Sequence, residues 1–142
     1  VPAETEPVTV RLEGPADGEL LDAVHESVAQ LWAAAPEVPD TDRMLFEIAL
    51  VEVVANVVQH AVPADGGVHV EVDLTAGGGA VQAEVTDDGA ATPVDLDRAM
   101  PSDSATSGRG LALIQRTVDR FTFERTGDRN VWRLVRGYVP EG

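Results

Sequence analysis

Two residue types are missing from this chain altogether: it has no cysteine and no lysine. Without cysteine there are no disulfides and no thiolate metal sites, which is compatible with a reducing cytoplasm. Without lysine, no glycine-rich loop here can be the phosphate-binding P-loop, which requires one. Positive charge of any kind is scarce. Ten arginines stand against 25 Asp and Glu, for a formal net charge of −15. Such a surface lacks the phosphate attraction that dominates nucleic-acid binding, so direct contact with nucleic acid or an anionic membrane is not expected. A negative ligand needs local help from a metal ion, a helix N-terminus or a placed Arg. Long hydrophobic runs are missing too: the most apolar stretch, residues 44 to 62, is broken by Glu47, Glu52, Asn56 and His60, which rules out a membrane span. No signal-peptide pattern is present. What remains is ordinary for a globular protein: 142 residues, 44% hydrophobic and 25% charged, a length suited to one domain with one core.

Periodicity orders the elements. Val8–Leu12 alternates as a strand, and Leu20, Leu21, Val24, Val28 and Leu31 recur at helical spacing until Pro36 ends that helix. Asp40 or Thr41 caps a second helix that stops before Pro63. Residues 68–74 and 80–87 alternate with period two around Gly77-Gly78-Gly79, a hairpin. Between Gly89 and Ser107 the pattern fails, as in a long binding loop or lid. A third helix restarts near Gly110 with Leu111, Ile114 and Val118 on one face, and 121–125 and 131–135 form a last hairpin. This order predicts an α+β fold: a two-layer sandwich with a mixed, mostly antiparallel sheet and helices on one face.

Three patches carry polar groups where the pattern is otherwise apolar. In the second helix, Glu52, Asn56 and His60 recur at i, i+4 and i+8 and stack along one face of a segment that reads as buried on most sides. A buried carboxylate needs a proton, a counter-charge or water, so this face is expected to line a polar cavity. Glu52 can accept a proton, and the Asn56 amide oxygen suits a hard cation such as Mg2+. In the second patch, counting by twos from Val81 puts Asp87 on the buried face at the end of its strand. There its carboxylate can take the exocyclic amine of adenine, and Gly89 lets backbone approach a flat base. In the third, Gly108-Arg109-Gly110-Leu111 opens a helix, where backbone N–H groups hold phosphate oxygens and Arg109 adds positive charge. Each patch alone also has an ordinary structural reading: a buried polar network, an Asp-Asp-Gly turn, a plain helix start.

Their order is more informative. Glu47-x-x-Leu50-x-Glu52-x-x-x-Asn56-x-x-x-His60, then Val85-x-Asp87-x-Gly89, then Gly108-Arg109-Gly110-Leu111-x-Leu113-Ile114 resembles the GHKL (Bergerat) ATP-binding fold of gyrase, histidine kinases and MutL. Within it, the chain looks most like the bacterial anti-sigma factor serine/threonine kinases of the RsbW and SpoIIAB group. The likeness runs from about residue 8 to 137, with an ATP lid over about 89–107, in one domain spanning 1–142. It implies ATP and Mg2+ as cofactors. Glu52 would be the general base for an acceptor Ser or Thr hydroxyl, and Asn56 the Mg2+ ligand. Asp87 would bind the adenine amine, Gly89 would flank the base, and Gly108, Arg109 and Gly110 would meet the phosphates, with Leu111 also in the nucleotide site. Implied partners are a sigma factor and an anti-sigma factor antagonist of the STAS type, with homodimers common in the family and a cytoplasmic location. The family's first glycine box usually reads Asp-x-Gly-x-Gly, and this chain has Ala91 at the second glycine, a departure that lowers the expected affinity for nucleotide. The alternatives are a binding module of this fold with weak or no catalysis, and the regulatory ATPase domain of a larger PP2C-type phosphatase regulator.

Overall fold

The computed structural model describes residues 7–60, 67–89 and 106–140. Their elements run β1 (Val8–Pro15), α1 (Gly18–Ala34), α2 (Asp40–His60), β2 (His69–Gly77), β3 (Ala80–Asp87), α3 (Thr106–Thr117), β4 (Arg120–Thr126) and β5 (Arg129–Gly137). The strands make one sheet in the order β1-β2-β3-β5-β4. All four ladders are antiparallel, so the expected admixture of parallel pairing is absent among the described strands.

Two tight turns set the register of the hairpins. Gly78 and Gly79 both have positive φ (64° and 83°), the conformation whose twist matches flanking strands, and they close Gly77 onto Ala80. Gly127, with φ of 62°, opens the turn that closes Thr126 onto Arg129. Once register is set, alternation decides the faces. Val70, Val72, Leu74 and Ala76 of β2 turn inward with Val81, Ala83, Val85 and Asp87 of β3. The opposite face carries Arg11, Glu71, Asp73, Glu84, Glu124 and Arg133, joined by cross-strand ion pairs such as Arg133–Glu124 at 2.6 Å and Arg133–Glu84 at 3.0 Å.

The helices cover the inward face. Asp17 caps α1 by accepting from the Leu20 amide, and Leu20, Val24, Val28 and Leu31 reach the core. Trp32 meets Phe46 of α2 edge to face, with centroids 6.1 Å apart. Arg136 of β5 ties the layers together: its Nε donates to Asp42 of α2 at 2.8 Å and its NH1 to the Thr117 carbonyl at the end of α3. No helix among the described residues is long and apolar enough to cross a membrane.

Candidate functional site

The polar stripe begins on a helix that is less buried than its composition implies. Phe46, Ala49, Leu50, Val53, Val54 and Val57 form one buried face at spacings of three and four. On the outer face Met44 is 56% and Ile48 36% exposed. The expectation of burial on most sides holds in part: the sheet lies against α2 and α1 and α3 border it, while its outer face, at Met44 and Ile48, stays open among the described residues. Each i+4 step also turns about 40° round a helix axis. The stripe thus drifts from the outer flank at Glu52 toward the core at Asn56, and both residues are half-buried. Glu52 lines an open groove of about 420 Å³ with His25, Met44, Glu47, Ile48 and Val51. Glu47, by contrast, faces α1, with its carboxylate 3.3 Å from His25 Nδ1 and accepting from Trp32 Nε1 at 3.4 Å. The side chain of His60 lies outside the described residues.

Asp87 is more deeply buried than Glu52 or Asn56. It ends β3 on the helix-covered face and is only 3% exposed. Its Oδ1 accepts from the Gly89 amide at 3.0 Å and from Asn130 Nδ2 at 2.8 Å. Its Oδ2 accepts from Trp132 Nε1 at 3.4 Å. Two donors saturate Oδ1, while Oδ2 keeps room for another N–H. Trp132 is itself walled by Phe123, with centroids 4.4 Å apart, and by Phe121, stacked at 6.0 Å. The neighbouring Asp88 turns the other way: its Oδ1 accepts from the His69 amide at 2.7 Å and fastens the end of β3 to the start of β2.

The third patch differs from expectation in its local structure. The helix begins at Thr106, not near Gly110, so Gly108, Arg109, Gly110 and Leu111 are already helical and the expected loop ends earlier. Thr and Ser suit a helix start, and glycine's low helix propensity is tolerated there because the first-turn amides have no intrahelical partner to lose. The side chains of Arg109 and Leu111, and residues 90–105 with Ala91 among them, lie outside the described residues. Ile114 is fully buried and Val118 nearly so, as their spacing predicts. α2 packs on both α3 and β3, so the element that carries the first patch borders the two that carry the others.

Three residues of the Asp87 environment escape a reading by motif. Asn130 sits directly across the ladder from Asp87 and is 2% exposed. Arg125 of β4 donates from NH1 to the Gly89 carbonyl at 2.7 Å and to Asn130 Oδ1 at 3.1 Å. Trp132 supplies the indole N–H. Residues 126–130 read as a loop; continuing the period-two count back from Leu134 through Trp132 would have put Asn130 on the inner face. Elsewhere, Glu13, His69 and Glu71 bring ligand atoms within 4.8 Å of one another on the open face. Glu71 there already faces Arg11 at 3.4 Å and Arg129 at 3.9 Å, so this group belongs to the ion-pair lattice.

No curated protein matches the chain in sequence. Among solved structures, it is similar to the RsbU and RsbW domains of Rv1364c from Mycobacterium tuberculosis, with a TM-score of 0.64 and 21% identity over 97% of this chain and 34% of that one. The histidine kinase domain of a blue-light activated kinase from Erythrobacter litoralis follows, with a TM-score of 0.58 and 16% identity over 87% of this chain and 61% of that one. The histidine kinase AdeS of Acinetobacter baumannii gives 0.52 and 12%, over 89% and 67%. The chain thus spans about a third of the mycobacterial chain and under two thirds of the Erythrobacter one. At these identities the likeness speaks for the fold. Membership rests on the sequence profile, which matches residues 14–136: the chain belongs to the histidine kinase-like ATPase domain family.

Proposed function

We propose that this domain binds ATP and transfers its γ-phosphoryl group to a Ser or Thr of a STAS-type anti-sigma factor antagonist, while also sequestering a sigma factor in the cytoplasm. The observation that carries the reading is Asp87: a buried carboxylate at a strand end, with one oxygen saturated by the protein and the other still able to accept. A carboxylate kept this way, in a family of ATPase domains, suits the amine of adenine. Gly89 would flank the base, and the N-terminal turns of α3 at Gly108, Arg109, Gly110 and Leu111 would face the phosphates.

The donor set fits a hard cation. Asn56 offers an amide oxygen one turn from Glu52, both half-buried at the flank of α2. Mg2+ held at Asn56 would supply charge neutralisation for the phosphates. Glu52 takes the proton of the acceptor hydroxyl as its oxygen bonds to the γ-phosphorus and the bond to ADP breaks, leaving phosphoprotein and ADP. The groove beside Glu52 is open, and the exposed Met44 and Ile48 with the half-buried Val51 give an apolar floor on which a protein acceptor could dock.

The test is titration of ATP and ADP with and without Mg2+, followed by transfer of labelled phosphate to candidate antagonist domains. Binding in the micromolar range with Mg2+-dependent transfer is expected. No binding at millimolar nucleotide, to protein shown to be folded, would overturn the kinase reading in favour of a binding module. A second reading has one observation of its own: the mycobacterial chain joins RsbU and RsbW domains. This domain would then be the nucleotide-binding part of a larger PP2C-type phosphatase regulator. A sigma factor or antagonist recovered with the domain, in a manner that depends on ATP, favours the first reading.

A further inference from the structure

The Asp87 carboxylate is not free to turn. Oδ1 is held from two directions, by the Gly89 amide at 3.0 Å and by Asn130 Nδ2 at 2.8 Å. Asn130 is in turn held by Arg125, whose NH1 reaches Asn130 Oδ1 at 3.1 Å and the Gly89 carbonyl at 2.7 Å. Asn130 Nδ2 also approaches that same carbonyl at 3.4 Å. Arg125 belongs to β4, so one guanidinium on the edge strand fixes both groups that fix Oδ1. It also sets the amide of Asn130: with its oxygen toward Arg125, its NH2 must face Asp87.

Resting on the nucleotide reading above, we infer that Arg125 and Asn130 are positioning residues that set base specificity, by pinning Oδ1 so that Oδ2 is presented to the site as an acceptor. A base with an exocyclic amine beside Oδ2 donates to it. A base with a carbonyl at that position places acceptor against acceptor, and neither group can change role. Since Asp87 is buried, water cannot enter easily to relieve the mismatch. Without Arg125, Asn130 and Gly89 lose their common anchor and Oδ1 is held less firmly, so water can reach the carboxylate. That water can donate to a base carbonyl as well as to Asp87, and the discrimination weakens. Relaxed discrimination, and not merely weaker binding, is therefore the signature of this relay.

The experiment compares ATP with inosine triphosphate, which differs in carrying a 6-oxo group for the 6-amine, by calorimetry on the full chain. Hydrogen bonds to charged acceptors make roughly 10- to 100-fold differences, and the wild-type chain should favour ATP by that order. Arg125→Leu and Asn130→Ser should each bring the ratio within about threefold of unity, with Arg125→Lys restoring part of it through its charge and one donor. A merely structural role would weaken both nucleotides alike and leave the ratio unchanged, and that result overturns the inference. Wild-type binding of both nucleotides with equal affinity also overturns it while sparing the nucleotide reading. No wild-type binding of either one overturns that reading itself. Circular dichroism of each variant checks folding. If Arg125→Leu does not fold, the ratio for Asn130→Ser decides between the outcomes.

Discussion

Replacing Asp87 with Asn isolates the charge of the buried carboxylate while keeping its shape. The amide oxygen can take the place of Oδ1 and still accept from Gly89 and Asn130. Each of those bonds falls from a charged acceptor, about 1.5–3 kcal/mol, to a neutral one, about 0.5–1.5 kcal/mol. The loss is about 2 kcal/mol, offset in part because a neutral amide is cheaper to bury than a carboxylate. The new NH2 faces Trp132 Nε1, donor against donor, at a separation of 3.4 Å where the original bond was already weak. The net cost in stability is about 1 kcal/mol, or about 3 °C in Tm for a chain of this length. Asp87→Ala is a different perturbation: it leaves the Gly89 amide, Asn130 Nδ2 and Trp132 Nε1 facing a void. At about 1–3 kcal/mol for each buried donor left without a partner, a loss of about 4 kcal/mol follows. Nucleotide binding separates the two effects. Asp87→Asn turns its amide hydrogens toward the base amine, so ADP affinity should fall roughly 10- to 150-fold. Urea denaturation followed by tryptophan fluorescence and ADP calorimetry measure both quantities. ADP affinity within about twofold of wild type in folded Asp87→Asn would refute the assignment of Asp87 to the base. A loss of less than about 1 kcal/mol in Asp87→Ala would refute the claim that three donors depend on it.

Other outcomes follow from single contacts. Arg136 and Asp42 are largely buried and 2.8 Å apart, with Arg136 also holding the end of α3. A double-mutant cycle of Arg136→Met and Asp42→Asn should return a coupling of about 1.5–3 kcal/mol, whereas a value near zero would class it with surface pairs. Glu52→Gln should lower phosphate transfer by about 10²–10⁴-fold with nucleotide affinity unchanged; an unchanged transfer rate would make Glu52 structural. Tyr138 is the only tyrosine in a chain without lysine or cysteine, so it titrates alone at alkaline pH. Burial, reinforced by the Glu37 carboxylate it donates to at 3.3 Å, raises its phenol above the ordinary value. The folded state then keeps the proton longer than the unfolded one, so this stability is complete below about pH 10 and is lost as pH rises through the folded value. Urea midpoints measured across that range should fall for wild type and stay flatter in Tyr138→Phe, and parallel falls would refute the coupling.

Local chemistry was enough to order the elements and to put Asp87 on an inner face. Period-two alternation in 80–87 and the Gly78-Gly79 turn leave one register for that hairpin, because a slip by one residue would expose Val81, Ala83 and Val85. The start of α3 was harder to read, since Gly108 and Gly110 weaken the helical pattern at the turn where glycine costs least. The face of α2 was not legible at all. With apolar residues on most of the helix outside the Glu52, Asn56 and His60 stripe, only packing on β3, β5, α1 and α3 decides that Leu50 and Val54 are buried while Met44 and Ile48 meet solvent. The clamp on Asp87 lies further still from any local pattern, because Asn130 follows it by 43 positions and Arg125 reaches Gly89 across 36. The sequence by itself determined which residues could supply a base, a cation ligand and a buried acceptor. Only the sheet order, which lays β5 beside β3 and β4 beside β5, decided which groups hold that acceptor in place. Hydrogen bonds between strands distant in sequence depend on tertiary pairing, and no local periodicity encodes them.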